Sequence, residues 1–150
     1  MMADPNRVSE CFQAMLNAAG ANGPKITAKI RLGIDDQTPE DTLPEFIDIL
    51  NSSDIKHVII HARKAILGGL SPKQNRDIPP LNYELVYLMK TQFPEMQIVL
   101  NGGLTSFGQC LEQLTRVDGV MVGRAAYQTP QLLLSVDRQF FQSEPPNPTA

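Results

Sequence analysis

Gln97-Ile98-Val99-Leu100-Asn101-Gly102-Gly103 and Asp118-Gly119-Val120-Met121-Val122-Gly123-Arg124 are the stretches that decide the fold. In each, a short apolar run stops in a glycine turn, and the turn leads into a stretch that can be helical. Glycine lets backbone N–H groups come close to an oxyanion, and a helix N-terminus behind the turn attracts negative charge. Two such turns on successive strand–helix units match the phosphate site that a β/α barrel builds from the loops after its last two strands. Two ordinary tight turns would look the same, because glycine is the default turn residue.

Working outward from these turns, the rest of the chain alternates in the same way. Asp4-Pro5 starts a helix, with Asp as cap and Pro in the first turn, and Val8, Cys11, Phe12 and Met15 share one face of it. Residues 25–32 alternate polar and apolar as a strand. A second helix starts either at Thr38-Pro39 or at Thr42 with Glu45 as a capping box, and it buries Phe46, Ile47 and Leu50. Residues 56–60 form a second strand around Val58-Ile59-Ile60. A long polar loop covers about 61–80. Asn82 caps a third helix that turns Leu85, Leu88 and Met89 inward, and Phe93-Pro94 stops it. The third strand is 97–100, and Ser106 caps a helix with Phe107, Cys110, Leu111 and Leu114 on one side. The fourth strand is 119–122, and a last helix is predicted over 130–141. The tail over 143–150, with Pro145, Pro146 and Pro148, is predicted to be disordered. Four strands alternating with helices predict an α/β fold, a parallel sheet with right-handed crossovers. Strands this apolar predict a sheet buried on both faces.

Composition narrows the function. A net charge of −3 excludes a wholly basic nucleic-acid binder, so any such role must sit in a local patch. No apolar run is long enough for a membrane span, and no basic start with an apolar core marks a secretory signal, which predicts a cytoplasmic protein. Cys11 and Cys110 both fall on predicted apolar helix faces and are expected to be buried free thiols. No HExxH, paired CxxC, Walker loop or Ser–His–Asp spacing occurs, so no metal site or hydrolase is predicted.

Active groups of β/α folds gather at the carboxyl ends of the strands. Strand one carries Lys29, Arg31 and Gly33, strand two ends in His61-Ala62-Arg63-Lys64, and the other two end in the glycine turns. Lys29 shares a pleat side with Thr27 and Arg31. Pointing inward, it needs an anionic partner, because an unpaired buried charge costs several kcal/mol. Pointing outward, it lies along the surface between helices. His61 stands either as a ligand donor or as a satisfied core histidine. Arg63, Lys64, Lys73 and Arg76 make a basic cluster in the long loop, which Pro72, Pro79 and Pro80 stiffen. Such a loop suits gripping a polyanion by its phosphates, or is simply a solvated surface loop.

The strings Lys29-Ile30-Arg31-Leu32-Gly33-Ile34-Asp35-Asp36, His61-Ala62-Arg63-Lys64-Ala65, the loop from Gly69 through Ser71-Pro72-Lys73-Gln74-Asn75-Arg76-Asp77-Ile78-Pro79-Pro80 to Leu81, Asn101-Gly102-Gly103 and Asp118 through Tyr127 closely resemble the tRNA-dihydrouridine synthases. The long loop is similar to that of the A subfamily, whose members act on the tRNA D-loop around positions 20 and 20a. The resemblance runs from about Met2 to Phe141. It implies a TIM (β/α)8 barrel carrying FMN, followed by a helical domain. It implies reduction of a uridine to 5,6-dihydrouridine, with NADPH recharging the flavin and a cysteine supplying the proton. Carried over by motif, Lys29, His61, Asn101, Gly102, Gly103, Gly123 and Arg124 would bind FMN, and Lys73 and Arg76, joined by the neighbouring Arg63 and Lys64, would meet tRNA. The family's catalytic cysteine lies in a Gly-Ala-Cys-Leu-Met segment whose end lines up with Met1-Met2-Ala3-Asp4-Pro5, so it is expected upstream of Met1. Cys11 does not match it, and no catalytic residue is assigned within the chain. What remains resembles strands five to eight, with residues 1–142 as the C-terminal half of the barrel. The expectation is therefore a fragment, whether from a truncated gene model, a split gene or a degraded copy. Its partners would be tRNA and either the missing half or a second copy meeting its open sheet edges. The alternative is a dead remnant that keeps weak FMN or RNA binding.

Overall fold

In the computed structural model, which describes residues 2–141, four strands alternate with helices along the chain. Helix α1 (Pro5–Ala19) leads into β1 (Ala28–Arg31), α2 (Pro39–Ser52) and β2 (His57–His61). Then come α3 (Tyr83–Gln92), β3 (Gln97–Asn101), α4 (Phe107–Leu114) and β4 (Gly119–Met121). Two short helices follow, α5 (Arg124–Gln128) and α6 (Val136–Phe140), with a 3-10 stretch Pro130–Ser135 between them. The tail expected over 143–150 lies outside the described residues.

All four strands are parallel and stand in the order β1-β2-β3-β4. The register aligns Arg31, His61, Asn101 and Met121 in one row across the sheet, and Lys29, Ile59, Val99 and Gly119 in a row two residues below. Successive side chains point to opposite faces. Ala28, Ile30, Val58, Ile60, Ile98 and Leu100 therefore share the other face, where all are buried. They form one core with Leu43, Phe46, Ile47 and Leu50 of α2, Leu85, Val86 and Met89 of α3, and Cys110 of α4. The helices cover this face alone. The expected burial of both faces does not hold, and β2 alternates between half-buried and buried residues.

The caps fall where expected. The Asp4 carboxylate accepts from Arg7 N at 3.1 Å, the Asn82 side chain from Leu85 N at 3.1 Å, and Ser106 Oγ from Gln109 N at 3.3 Å. Pro39 at the first helical position settles the start of α2 in favour of Thr38-Pro39.

Several inward faces are rotated from those expected. On α1, Ser9 Oγ meets Ser53 Oγ at 2.7 Å and Gln13 Nε2 donates to Ser53 O at 3.2 Å. These bonds turn Val8, Phe12 and Leu16 toward α2 and leave Cys11 and Met15 outside. Cys11 is thus an exposed thiol, not a buried one; Cys110 is buried as expected. On α3 the face is centred on Val86, which lies about 200° around the helix from Leu88, so Leu88 is 45% exposed. On α4 the buried Gln113 accepts from the Tyr87 hydroxyl, which draws that side inward and leaves Leu111 43% exposed. The single helix expected over 130–141 is broken into 3-10 and α pieces. None of their residues is buried, and helix stability comes mainly from packing an apolar face.

Candidate functional site

A cleft of about 480 Å³ opens at the carboxyl ends of the strands. It gathers Lys29, His61, Asn101, Gly102, Gly103, Gly123 and Arg124 from four separate strand ends. Arg76 of the long loop lines it too. Of the basic loop residues expected to act together, only Arg76 reaches the cleft. Lys73 is exposed on the loop. Lys64 donates Nζ to Gln37 O at 2.6 Å, and Arg63 donates to the carbonyls of Asp77 and Pro79. Arg63 Nε is buried without a partner among the described residues.

The long loop is built, not slack. Beyond β1 and β2 the pairing continues through Leu32 N to Arg63 O (3.2 Å), Ala65 N to Gly33 O (2.9 Å) and Asp35 N to Ala65 O (2.8 Å). Asn75 sits in a single 3-10 turn, Gln74–Arg76. Its Oδ1 accepts from Ile66 N and its Nδ2 donates to Ile66 O, both at 2.7 Å. Arg31 Nη1 donates to Asn75 O at 2.9 Å and to Lys64 O at 3.2 Å, tying the loop to β1. The sequence shows Arg31 only as one more strand-end cation; its hold on the loop depends on a contact across 44 residues that no local pattern marks.

Positive charge dominates the cleft. Lys29 and Arg31 stand on the open face, and no carboxylate pairs with either among the described residues. Partial burial, then the charge of Arg31, holds Lys29 below the ordinary lysine range. Lys29 is nevertheless exposed, so water meets its charge and it does not require a buried counter-ion. His61 is pushed down to about 4, first by burial and then by Arg31, Lys29, Arg63 and Arg124. It is a neutral imidazole near pH 7. Arg124 is partly neutralised by Asp77, with Nη1 to Oδ1 at 2.9 Å.

The two glycine corners differ. Gly102 and Gly103 have φ of +117° and +70°, where L side chains are strained. A Cβ on Gly102 would come within 2.8 Å of His61 Cδ2, and one on Gly103 within 2.6 Å of Leu81 Cδ1. Gly123 has φ −110° and open space around it. Among the described residues, the N–H groups of Gly103 and Gly123 have no acceptor. Helix dipoles add less than the sequence suggests. Helix α4 begins only at Phe107, where Ser106 already caps it, and α5 has 5 residues. The side chain of Asn101 is engaged elsewhere, donating Nδ2 to Met121 O at 2.7 Å and bracing β3 against β4.

Fold and cleft together define a parallel α/β protein with a cationic cleft at its strand ends. The profile of the dihydrouridine synthase (Dus) family matches residues 1–150, and the chain belongs to that family. It is 47% identical over 146 residues to the tRNA-dihydrouridine(20/20a) synthase of Pseudomonas syringae, covering 97% of this chain and 43% of that protein. The protein of the same name from Shewanella oneidensis is 47% identical, with 92% and 40% covered. That from Haemophilus ducreyi is 45% identical, with 100% and 45% covered. The chain thus spans less than half the length of these relatives. No helix among the described residues is long and apolar enough to cross a membrane.

Proposed function

We propose that this chain is the flavin- and tRNA-contacting part of a tRNA-dihydrouridine(20/20a) synthase. Residues 1–142 correspond in this reading to strands five to eight of an FMN-bearing TIM barrel. The observation that carries it is the convergence of Lys29, His61, Asn101, Gly102, Gly103, Gly123 and Arg124 on one cleft. The residues fit the cofactor's charged end. The volume falls within the roughly 300–1,000 Å³ of ordinary ligand pockets. Unpartnered N–H groups stand at both glycine corners, and a Cβ would strike His61 at Gly102 and Leu81 at Gly103.

In this reading Lys29 and Arg124 oppose the phosphate and the electron-rich ring system with positive charge. Neutral His61 offers one N–H donor. The glycine corners offer backbone N–H groups. Lys73 and Arg76, with Arg63 and Lys64 behind them, meet the tRNA backbone. When bound, the flavin supplies hydride to the uracil ring and NADPH restores it. The test is a titration of the chain with FMN and with riboflavin. FMN should bind at least tenfold more tightly, and Lys29→Ala should weaken it. Equal affinity for the two flavins overturns the reading.

A second reading, a chain that binds FMN or RNA weakly without catalysis, is favoured by one observation. Neither cysteine lines the cleft: Cys11 is exposed on α1 and Cys110 is buried on the helix-covered face. Dihydrouridine formation from tRNA, FMN and NADPH by this chain alone excludes it. In both readings the outer edges of β1 and β4, unpaired among the described residues, invite a complementary polypeptide or a second copy. Light scattering at micromolar concentration should show species larger than a monomer.

A further inference from the structure

Tyr83 opens α3, and nothing in the sequence distinguishes it from any other half-buried aromatic residue. Its hydroxyl donates to Gly102 O at 2.6 Å. Tyr83 is itself held firmly. Asn82 N donates to Ala62 O at 2.9 Å, and Ala62 N donates to Asn101 O at 2.9 Å. The hydrogen bonds thus form a closed circuit from the end of β3 through the end of β2 and the start of α3 back to Gly102.

The consequence lies in the geometry of one peptide. The Gly102–Gly103 bond is trans, so its C=O and N–H point in opposite directions. Fixing the Gly102 carbonyl on Tyr83 leaves the Gly103 N–H on the far side. Tyr83 does not line the cleft, whereas Gly102 and Gly103 do. The Gly103 N–H also has no acceptor among the described residues. With a glycine on each side, rotation of the intervening peptide meets little steric resistance. Turned over, the same peptide would present a carbonyl oxygen to an incoming anion.

We infer that Tyr83 is a positioning residue that holds the Gly102–Gly103 peptide with its N–H toward the cleft and so gives this corner its affinity for phosphate. The inference deepens the reading of the cleft given above and rests on it for the identity of the ligand. Leu81 Cδ1 and the Tyr83 hydroxyl both stand where a Gly103 Cβ would be, at 2.6 Å and 3.1 Å, so the hydroxyl acts on a corner that is already crowded.

The test uses the whole 150-residue chain labelled with 15N-glycine, and inorganic phosphate as the ligand. Tyr83→Phe keeps the ring and removes only the hydroxyl. In the unmodified chain the Gly103 amide resonance should shift on phosphate addition. In Tyr83→Phe the midpoint should move to at least tenfold higher phosphate. Riboflavin, which lacks the phosphate, should bind both proteins alike. A Gly103 amide that ignores phosphate in the unmodified chain, or responds equally in both, overturns the inference. So does an equal loss for riboflavin, which would mark Tyr83 as merely structural. The FMN-against-riboflavin comparison in the unmodified chain is a separate measurement. If it fails while Gly103 still answers to phosphate, the flavin reading falls and the role of Tyr83 stands.

Discussion

Arg124 and Asp77 form an ion pair with Nη1 and Oδ1 2.9 Å apart, joining the turn after β4 to the loop after β2. Both side chains are about half exposed, and such pairs contribute roughly 0–1 kcal/mol to stability. The larger effect is on charge, because Asp77 holds the one carboxylate paired with a cleft cation among the described residues. Asp77→Asn should therefore leave the unfolding midpoint within a few degrees and tighten FMN binding severalfold. Thermal unfolding and a flavin titration on the same protein check both parts. Weaker FMN binding would mean that Asp77 orients Arg124 more than it neutralises it.

His61 makes the cleft pH-sensitive. Its folded value of about 4 lies below the ordinary 6.5, so between these values the unfolded chain binds the proton more strongly. The contribution of His61 is fully present above pH 6.5 and is lost as pH falls toward 4. His61→Gln should remove this part of the acid sensitivity. Urea unfolding at pH 7, 6, 5 and 4 should show the gap between the two proteins changing across that window. A gap that stays constant would place His61 in free solvent, away from the cations beside it.

The architecture was legible because its signals are local. Apolar runs of strand length, the capping residues Asp4, Asn82 and Ser106 and the glycine turns all act within a few residues of themselves. The strand ends carrying Lys29, His61, Gly102 and Gly123 followed from the same pattern. What escaped depends on contacts between distant segments. Ser53 rotates α1 through Ser9 and Gln13, which puts Cys11 outside. Asn75, Asp77 and Tyr83 organise the cleft from 19 or more residues away along the chain, by bonds to Arg31, Arg124 and Gly102. Burial of only one sheet face also escaped, because apolar strands read alike whether one face is covered or two.

The glycine corners should separate strain from space. Gly102→Ala forces a Cβ to 2.8 Å from His61 at φ +117° and should cost about 1–3 kcal/mol of stability. Gly123→Ala meets open space at a negative φ and should cost less than Gly102→Ala. Chemical denaturation of the two variants checks the contrast. Equal destabilisation would mean that the turn after β4 is more tightly packed than its surroundings indicate.

The basic loop should act on tRNA through charge, and its members should differ. Each phosphate contact contributes about 0.7–0.9 to the slope of log affinity against log salt. Lys73 is exposed and Arg76 lines the cleft, so each is free to meet a phosphate. Lys73→Ala and Arg76→Ala should each lower that slope by close to one contact. Arg63 already donates to the carbonyls of Asp77 and Pro79, and Lys64 to that of Gln37. Their alanine variants should instead loosen the loop, weakening tRNA binding with little change in slope and exposing the Ile66 and Leu67 amides to faster hydrogen exchange. Filter binding of tRNA across a salt series, with exchange measured on the free proteins, distinguishes the two effects. A full-contact drop in slope for Lys64→Ala would show that its bond to Gln37 yields to a phosphate.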